Sequence, residues 1–145
     1  EMALCLVGSE MCIRDRDSLA SIARYLQGVG SNKWDPNYTW GREVIPPENV
    51  KSLEPKLFVK REKGCLAVKK LSKKLPLNEF RLMNFKKMNG NSLDNLDINS
   101  YLLRMGREEG DYRYFIVYDN YLNILSYNCS NYYGLSVGLL SDKFK

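Results

Sequence analysis

The run of residues 112–118 (YRYFIVY) constrains the fold more than any other part of this sequence. Aromatic and β-branched side chains fill it, and such side chains favour strands. Residues 100–105 are a second candidate strand, and residues 106–110 (GREEG) form a turn between the two. We therefore predict that the two strands pair as a β-hairpin. Asp119 and Asn120 are predicted to end the second strand, and a short helical stretch follows.

Amphipathic helices are predicted at both ends of the chain. Behind an N-cap at Asp17, apolar residues recur at helical spacing over residues 19–26, so we predict a helix over residues 17–27. A closing helix, capped by Asn128 or Ser130, has one apolar face, formed by Tyr133, Val137, Leu140 and Phe144. Because helices of this length are marginal in water by themselves, we expect the two to pack together.

The middle of the chain is predicted to be irregular. Residues 31–47 contain three prolines and no helical period, so we predict a loop. Short helices are predicted around residues 65–72 and from Pro76 onward, and residues 84–99 are predicted to be a loop that contains an Asn-Gly turn.

The net charge of the chain does not identify the class of molecule that it binds. Lys and Arg number 22 against 17 Asp and Glu, and basic pairs lie at residues 60–61, 69–70 and 73–74. We interpret these pairs as a solvated surface, with a nucleic-acid patch as the alternative, because a net charge of +5 does not choose between them.

Histidine is absent from all 145 residues. This absence excludes Ser-His-Asp and Cys-His nucleophile systems, His-ligated zinc and imidazole general bases. The four cysteines form no C-x-x-C pair, so we predict no metal site. We interpret Cys65 and Cys129 as two free buried thiols, with disulfides as the alternative that the spacing cannot assign.

Residues 1–16 do not look like a signal peptide, since they lack a basic n-region and their apolar run is too short. They resemble the translation of sequencing-adapter DNA joined to a fragmented gene, and the rival interpretation is a genuine short helix. We expect a non-native extension over 1–16, a core helix over 17–30, an irregular β-containing domain over 31–118 and a C-terminal return to the helical core over 119–145. This order predicts an α+β fold.

Residues 118–140 match the pattern Y-x-N-[FY]-x-x-I-x-x-Y-N-x-S-x-x-Y-A-x-x-V-x-x-L, with Gly134 in place of the alanine. This pattern resembles the C-terminal signature of the lytic murein transglycosylase B family. Residues 17–26 (DSLASIARYL) resemble the family's D-A-x-x-S-x-A-N-Y-L helix, and residues 40–46 (WGREVIP) its P-W-G-x-E-V-x-x-P loop. Since glycine costs about 1 kcal/mol of helix propensity, we expect Gly134 to weaken the closing helix.

The resemblance implies a partial lysozyme-like helical core with a small β-containing domain inserted before the last core helix. It also implies cleavage of the β-1,4 bond between N-acetylmuramic acid and N-acetylglucosamine in peptidoglycan, with a 1,6-anhydromuramoyl product. One glutamate acts first as acid and then as base, without the second carboxylate of other glycosidases. No cofactor is implied. The implied partner is the peptidoglycan glycan strand and not nucleic acid, and the implied location is the periplasm, with outer-membrane association through a missing upstream part.

Three residues match family positions that line the saccharide cleft: Tyr127, Asn128 and Tyr133. The resemblance implies that they bind substrate through hydroxyl and amide groups and through their rings, and the structural alternative is packing and capping alone. Asp17 matches the end of a loop that binds calcium in some members. A lone carboxylate cannot supply the roughly six to eight oxygens that calcium takes, so no metal-binding residue is predicted.

No glutamate here has the setting of the family's catalytic glutamate, which lies well upstream on a core helix. Glu43 matches the W-G-x-E-V loop, and Glu108 and Glu109 lie on a turn. We therefore predict no catalytic residue in this chain and expect it to be inactive alone. Two alternatives stay open, namely a non-catalytic glycan-binding module and a basic nucleic-acid-binding domain.

Overall fold

The computed structural model describes residues 34–108 and 110–144 of the chain. Of these, residues 34–40 and 120–144 belong to one compact unit, called here the helical unit, and Gly41–Asp119 form a second, the sheet unit. The predictions for residues 1–16 and for the helix over 17–27 lie outside the described residues.

The sheet unit contains a five-stranded antiparallel sheet in the order β2-β4-β5-β1-β3. The strands are β1 (Gly41–Ile45), β2 (Leu75–Pro76), β3 (Lys86–Lys87), β4 (Asn99–Met105) and β5 (Arg113–Tyr118). The predicted hairpin is confirmed, because β4 pairs with β5 from Ser100↔Tyr118 to Met105↔Arg113. Aromatic and β-branched residues make β5 the best strand former in the chain, and it lies at the centre of the sheet.

Three short helices accompany the sheet: α1 (Val50–Leu57), α2 (Leu66–Lys69) and α3 (Leu77–Leu82). Alternate β5 residues point into one core, where Ile116 packs with Leu102 of β4 and with Leu57, Leu77 and Phe80 of the helices. Phe80 meets Phe85 edge to face, with ring centroids 5.6 Å apart. Each such fully buried side chain contributes about 1.5–3 kcal/mol, so this core stabilises the sheet unit.

The prediction of a loop over residues 31–47 is wrong in its second half. Residues 41–45 form β1, whose register runs from Gly41↔Val117 to Val44↔Tyr114 against β5. The prediction for α3 is close, although Pro76 is the extended N-cap residue and the helix begins at Leu77. In the predicted loop over 84–99, β3 is followed by the expected turn, in which Gly90 has a φ of 88° and donates to the Lys87 carbonyl at 2.8 Å.

The helical unit contains α4 (Asp119–Tyr127, whose first residue lies in the sheet unit) and α5 (Asn131–Ser141), followed by a 3₁₀ turn (Asp142–Phe144). The predicted closing helix is confirmed, and so is one of its two candidate caps. Ser130 is the N-cap residue, and its hydroxyl oxygen accepts a hydrogen bond from the Tyr133 amide at 3.3 Å. This bond satisfies one of the amide groups that the first turn of a helix leaves free.

Two glycines allow close packing on α5, which corrects the expectation that Gly134 weakens this helix. A Cβ at Gly134 would lie 2.7 Å from the Tyr121 hydroxyl oxygen, and one at Gly138 would lie 2.6 Å from Cδ2 of Trp40. Both aromatic side chains are buried, and their ring centroids are 6.2 Å apart. The low helix propensity of these glycines is therefore accompanied by close contact between α5 and two large aromatic rings.

The prediction that Cys65 and Cys129 are free buried thiols is wrong. Each is exposed and each is disulfide-bonded.

Within residues 34–108 and 110–144, no helix is long and apolar enough to cross a membrane.

Candidate functional site

The three predicted substrate-binding residues lie together where α4 gives way to α5, a place called here the tyrosine corner (Tyr127, Asn128 and Tyr133). Tyr127 is the last residue of α4 and is 57% exposed, Asn128 is exposed, and Tyr133 lies half-buried in the first turn of α5. A tight turn joins the helices, since the Ser130 amide donates to the Asn128 carbonyl at 2.8 Å. Both rings and the amide side chain are thus accessible on one short stretch of the surface.

The Tyr133 hydroxyl stays protonated over the whole physiological range. Burial raises its pKa above the ordinary value of 10.0, and the nearby Tyr127 phenol raises it further. A neutral phenol both donates and accepts a hydrogen bond. With the Asn128 amide beside it, the tyrosine corner offers the mixture of donors, acceptors and ring faces that a sugar surface requires.

A buried hydrogen bond joins the two helices of this unit. The Tyr121 hydroxyl donates to Oδ1 of Asn131 at 2.8 Å, and both residues are buried. Burial raises the pKa of Tyr121 far above its ordinary value, so this hydroxyl remains a donor. The bond joins the first turn of α4 to the start of α5, so the two helices are held against each other.

Asn120 fixes the same first turn of α4. Its side-chain oxygen accepts from the Asp35 amide at 2.8 Å, and its Nδ2 lies within 3.2 Å of the carbonyl oxygens of Asp35, Tyr38 and Thr39. Next to this loop, the Trp40 indole donates to Oδ2 of Asp142 at 3.1 Å. The asparagine and second aromatic of the Y-x-N-[FY] motif therefore hold the helical unit together, a role that the sequence pattern did not reveal.

The glutamates of the described chain are either paired or exposed. Glu43 accepts two hydrogen bonds from Arg113, at 2.8 and 3.0 Å, and Glu54 pairs with Arg104 at 2.9 Å. The remaining ones lie on the surface: Glu48, Glu62, Glu79 and Glu108. None of these six glutamates is both buried and without an ion pair, the setting that suits a general acid. That no catalytic residue lies in this chain stays a prediction.

Sequence reasoning missed an open cavity of about 370 Å³ in the sheet unit. Its wall contains Glu54, which accepts from Arg104 at 2.9 Å and from the Tyr114 hydroxyl at 3.0 Å, while the Arg104 guanidinium lies 4.3 Å from the Tyr112 ring centre. Burial and the Glu54 carboxylate raise the pKa of Tyr114 to about 12. Because β4, β5 and α1 supply these residues, only the folded sheet brings them together.

Tyr132, at a position that the signature leaves unspecified, is 45% exposed in the first turn of α5. It is a further exposed ring close in sequence to Tyr133.

Over the residues that the structure describes, no group of three His, Cys, Asp or Glu side chains is placed to hold a metal ion.

Comparison with known proteins assigns the family. The family model of the transglycosylase SLT domain matches residues 9–142. The chain therefore belongs to the transglycosylase SLT domain family of lytic transglycosylases. The match begins at residue 9, ahead of Asp17, and the boundary that we place there stays a prediction.

Two crystal structures of SltB3 from Pseudomonas aeruginosa are similar to this chain. The complex with NAG-anhNAM-pentapeptide is 32% identical with a TM-score of 0.59, and the complex with NAG-NAM-pentapeptide is 33% identical with a TM-score of 0.57. Each alignment covers 88% of this chain and 30% of the SltB3 chain, so this chain spans about a third of that length. The predicted α+β, lysozyme-like class is confirmed. No curated protein matches the chain.

Proposed function

We propose that this chain is the saccharide-binding C-terminal part of a peptidoglycan lytic transglycosylase. The enzyme cleaves the β-1,4 bond between N-acetylmuramic acid and N-acetylglucosamine and leaves a 1,6-anhydromuramoyl end. The chain contributes the tyrosine corner to the cleft and does not contribute the glutamate that acts as acid and base. Family membership supports this proposal, and so do the SltB3 complexes, whose ligands contain NAG and either NAM or anhNAM.

The observation that carries the proposal is the tyrosine corner itself. An ordinary helix junction buries its aromatic residues, yet Tyr127 is more than half exposed while Tyr121, six residues earlier on the same helix, is fully buried. The buried residues of α4 do not include Tyr127, so its ring is not part of the packing of this helix. Exposed tyrosine rings beside an amide side chain are the groups with which proteins bind sugars.

The disulfides support a location in the periplasm. Cys65 and Cys129 are both disulfide-bonded, and disulfides persist in oxidising compartments such as the periplasm. Peptidoglycan, the proposed substrate, lies in the same compartment. Association with the outer membrane stays a prediction.

Removing the rings of the tyrosine corner is expected to weaken glycan binding. We expect Tyr127→Ala and Tyr133→Ala each to lower the affinity for peptide-free glycan strands about tenfold, the equivalent of roughly 1.4 kcal/mol. Equilibrium binding to purified strands measures this loss. Tyr38→Ala is the matched control, because Tyr38 is 41% exposed in the same unit but lies at the opposite end of α4. Equal losses in all three variants would contradict the assignment.

The chain alone is expected to bind sacculi without cleaving them. Incubation with purified sacculi should retain the chain on the pellet and release no anhydromuropeptides, as measured by reversed-phase chromatography and mass spectrometry. Released anhydromuropeptides would show that a glutamate of this chain is catalytic. Absence of binding would contradict the proposed function.

A glycan-binding module that takes no part in cleavage is the second candidate, favoured by the pairing or exposure of the six glutamates. A longer gene product that contains this chain and cleaves sacculi separates the two. Within it, Tyr127→Ala lowers turnover if the tyrosine corner lines the catalytic cleft and leaves turnover unchanged if binding and cleavage occur at separate sites.

A further inference from the structure

Positive charge is concentrated in one segment of the sheet unit. Residues 56–74 contain eight basic side chains and one acidic side chain, Glu62. Seven of the eight are lysines, all of them exposed, and they are called here the lysine edge: Lys56, Lys60, Lys63, Lys69, Lys70, Lys73 and Lys74. The whole chain has a net charge of only +5, so this segment alone, at +7, exceeds it.

The fold holds this segment against one edge of the sheet. The eighth basic residue, Arg61, donates to the Val68 carbonyl at 3.2 Å and lies over the Tyr101 ring of β4, 5.4 Å from its centre. Ser72 binds Leu102 of β4 twice, through its amide at 2.9 Å and through its hydroxyl at 2.7 Å. The backbone between Arg61 and Ser72 is therefore fixed, and its lysines lie on the outside.

Among the residues that the structure describes, no ion pair neutralises the lysine edge. The ion pairs between described residues are Lys87–Asp94, Arg104–Glu54 and Arg113–Glu43, and none of them involves a lysine of the edge. Seven like charges in one segment repel one another and lower the stability of the compact state. A surface of this kind gains free energy when an anionic partner supplies the missing counter-charge.

We propose that the lysine edge binds the carboxylates of peptidoglycan stem peptides, an inference that rests on the proposed function. A stem peptide ends in a carboxylate, and stems recur along a glycan strand, so the strand presents a row of separated negative charges. The two SltB3 ligands both have a pentapeptide on the sugar. Lysine suits this partner because it acts as a compact point charge on a flexible stem.

The neighbours of these lysines favour a hydrophilic partner over a membrane or a nucleic acid. The exposed apolar residues among them are Val59 and Leu66, whereas membrane-surface segments present a continuous apolar face with aromatic residues. The sole aromatic residue of the segment, Phe58, is half-buried. Single-stranded nucleic acids are bound by basic grooves with exposed rings for base stacking, and the lysine edge has no exposed ring.

The test compares sacculi that have free carboxylates with sacculi whose carboxylates have been amidated by carbodiimide and ammonia. We expect the 145-residue chain to bind amidated sacculi about tenfold more weakly, and binding to untreated sacculi to fall about tenfold between 50 and 200 mM NaCl, as for other polyelectrolyte contacts. The double variant Lys69→Gln/Lys70→Gln should lose about fivefold on untreated sacculi and nothing on amidated ones. Lys86→Gln/Lys143→Gln is the matched control, since both side chains are exposed and Lys86 lies in β3 at the opposite edge of the sheet.

Each result decides the proposal. It is overturned if amidation leaves binding unchanged, or if the control variant loses as much as Lys69→Gln/Lys70→Gln. It is also overturned if phosphatidylglycerol vesicles or single-stranded RNA bind more tightly than sacculi and lose affinity in the same variant. Peptide-free glycan strands separate this proposal from the proposed function. Variants of the lysine edge should bind peptide-free strands normally. If the wild-type chain does not bind these strands but its binding to sacculi still depends on free carboxylates, the role proposed for the tyrosine corner is refuted and the role proposed for the lysine edge stands.

Discussion

Gly41→Ala is expected to melt the sheet unit about 10 °C or more below the wild-type chain. Gly41 has a φ of 153°, and a Cβ added to it would lie 2.3 Å from the Ile116 carbonyl oxygen and 2.8 Å from the Val117 Cα. Both atoms belong to the backbone of β5 at the centre of the sheet, so no side-chain rotation relieves the clash. Overpacking costs about 1–3 kcal/mol and sometimes more, and a strained φ adds about 1–3 kcal/mol. Thermal unfolding followed by circular dichroism measures the shift.

Gly90→Ala is the matched control for this prediction. Gly90 also has a positive φ, 88°, but nothing lies within 4 Å of the Cβ position. Its substitution therefore adds only conformational strain, and we expect a loss of about 1 kcal/mol. A Gly41→Ala chain that melts at the same temperature as Gly90→Ala would show that β1 does not approach β5 as closely as described.

Gly138→Ala is expected to destabilise the helical unit by about 2 kcal/mol, although helix propensity predicts the opposite sign. Alanine in a helix is favoured over glycine by about 1 kcal/mol. The new Cβ, however, would lie 2.6 to 2.9 Å from three atoms of the Trp40 indole, which is buried and donates to Asp142. Because this rigid ring must move or the helix must shift, the cost of overpacking exceeds the gain in propensity. Denaturant unfolding measures the change in free energy.

A double-mutant cycle with Trp40→Phe tests the cause. The smaller ring leaves room for the new Cβ, so Gly138→Ala should cost much less in the Trp40→Phe background than in wild type. Stabilisation by Gly138→Ala in the wild-type background would mean that propensity governs this position and that the described contact is wrong.

Local patterns predicted the elements whose stability is local. The β4–β5 hairpin followed from six aromatic or β-branched residues after a glycine-bounded turn, and α5 followed from apolar spacing behind Ser130. In both cases the residues that determine the element are neighbours in the sequence. The residues of the tyrosine corner came from the resemblance to the family signature, and their role stays a prediction. They lie close together because Tyr127 and Tyr133 are only six residues apart and a tight turn joins their helices.

Tertiary pairing determined the elements that the sequence did not predict. The strand β1 is five residues long and precedes two prolines, and it is a strand because β5 offers it a partner. The helix α1 contains Pro55, which normally ends a helix, and its Leu57 is held in the hydrophobic core. No window of neighbouring residues contains this information.

Packing also explains why Gly134 was misjudged. Helix propensity alone predicts that a glycine lowers helix stability. It contains no information on the Tyr121 ring, which belongs to another helix and fills the space beside Gly134. Separation in sequence also explains why the Glu54–Arg104–Tyr114 cavity was not predicted, since these three residues are 50, 10 and 60 positions apart. The prediction for the cysteines was wrong because the tendency of thiols to be buried is an average over many proteins. Cys65 is the exposed N-cap residue of α2, and Cys129 is exposed in the link between α4 and α5.

The most direct test of the central claim is a nuclear magnetic resonance titration of the ¹⁵N-labelled chain with a peptide-free NAG-NAM oligosaccharide. The account predicts saturable shifts at the amides of Tyr127, Asn128 and Tyr133, and none at the lysine edge, because this ligand has no stem carboxylate. Absence of shifts at the tyrosine corner, or shifts confined to the Glu54–Arg104 cavity, would contradict it.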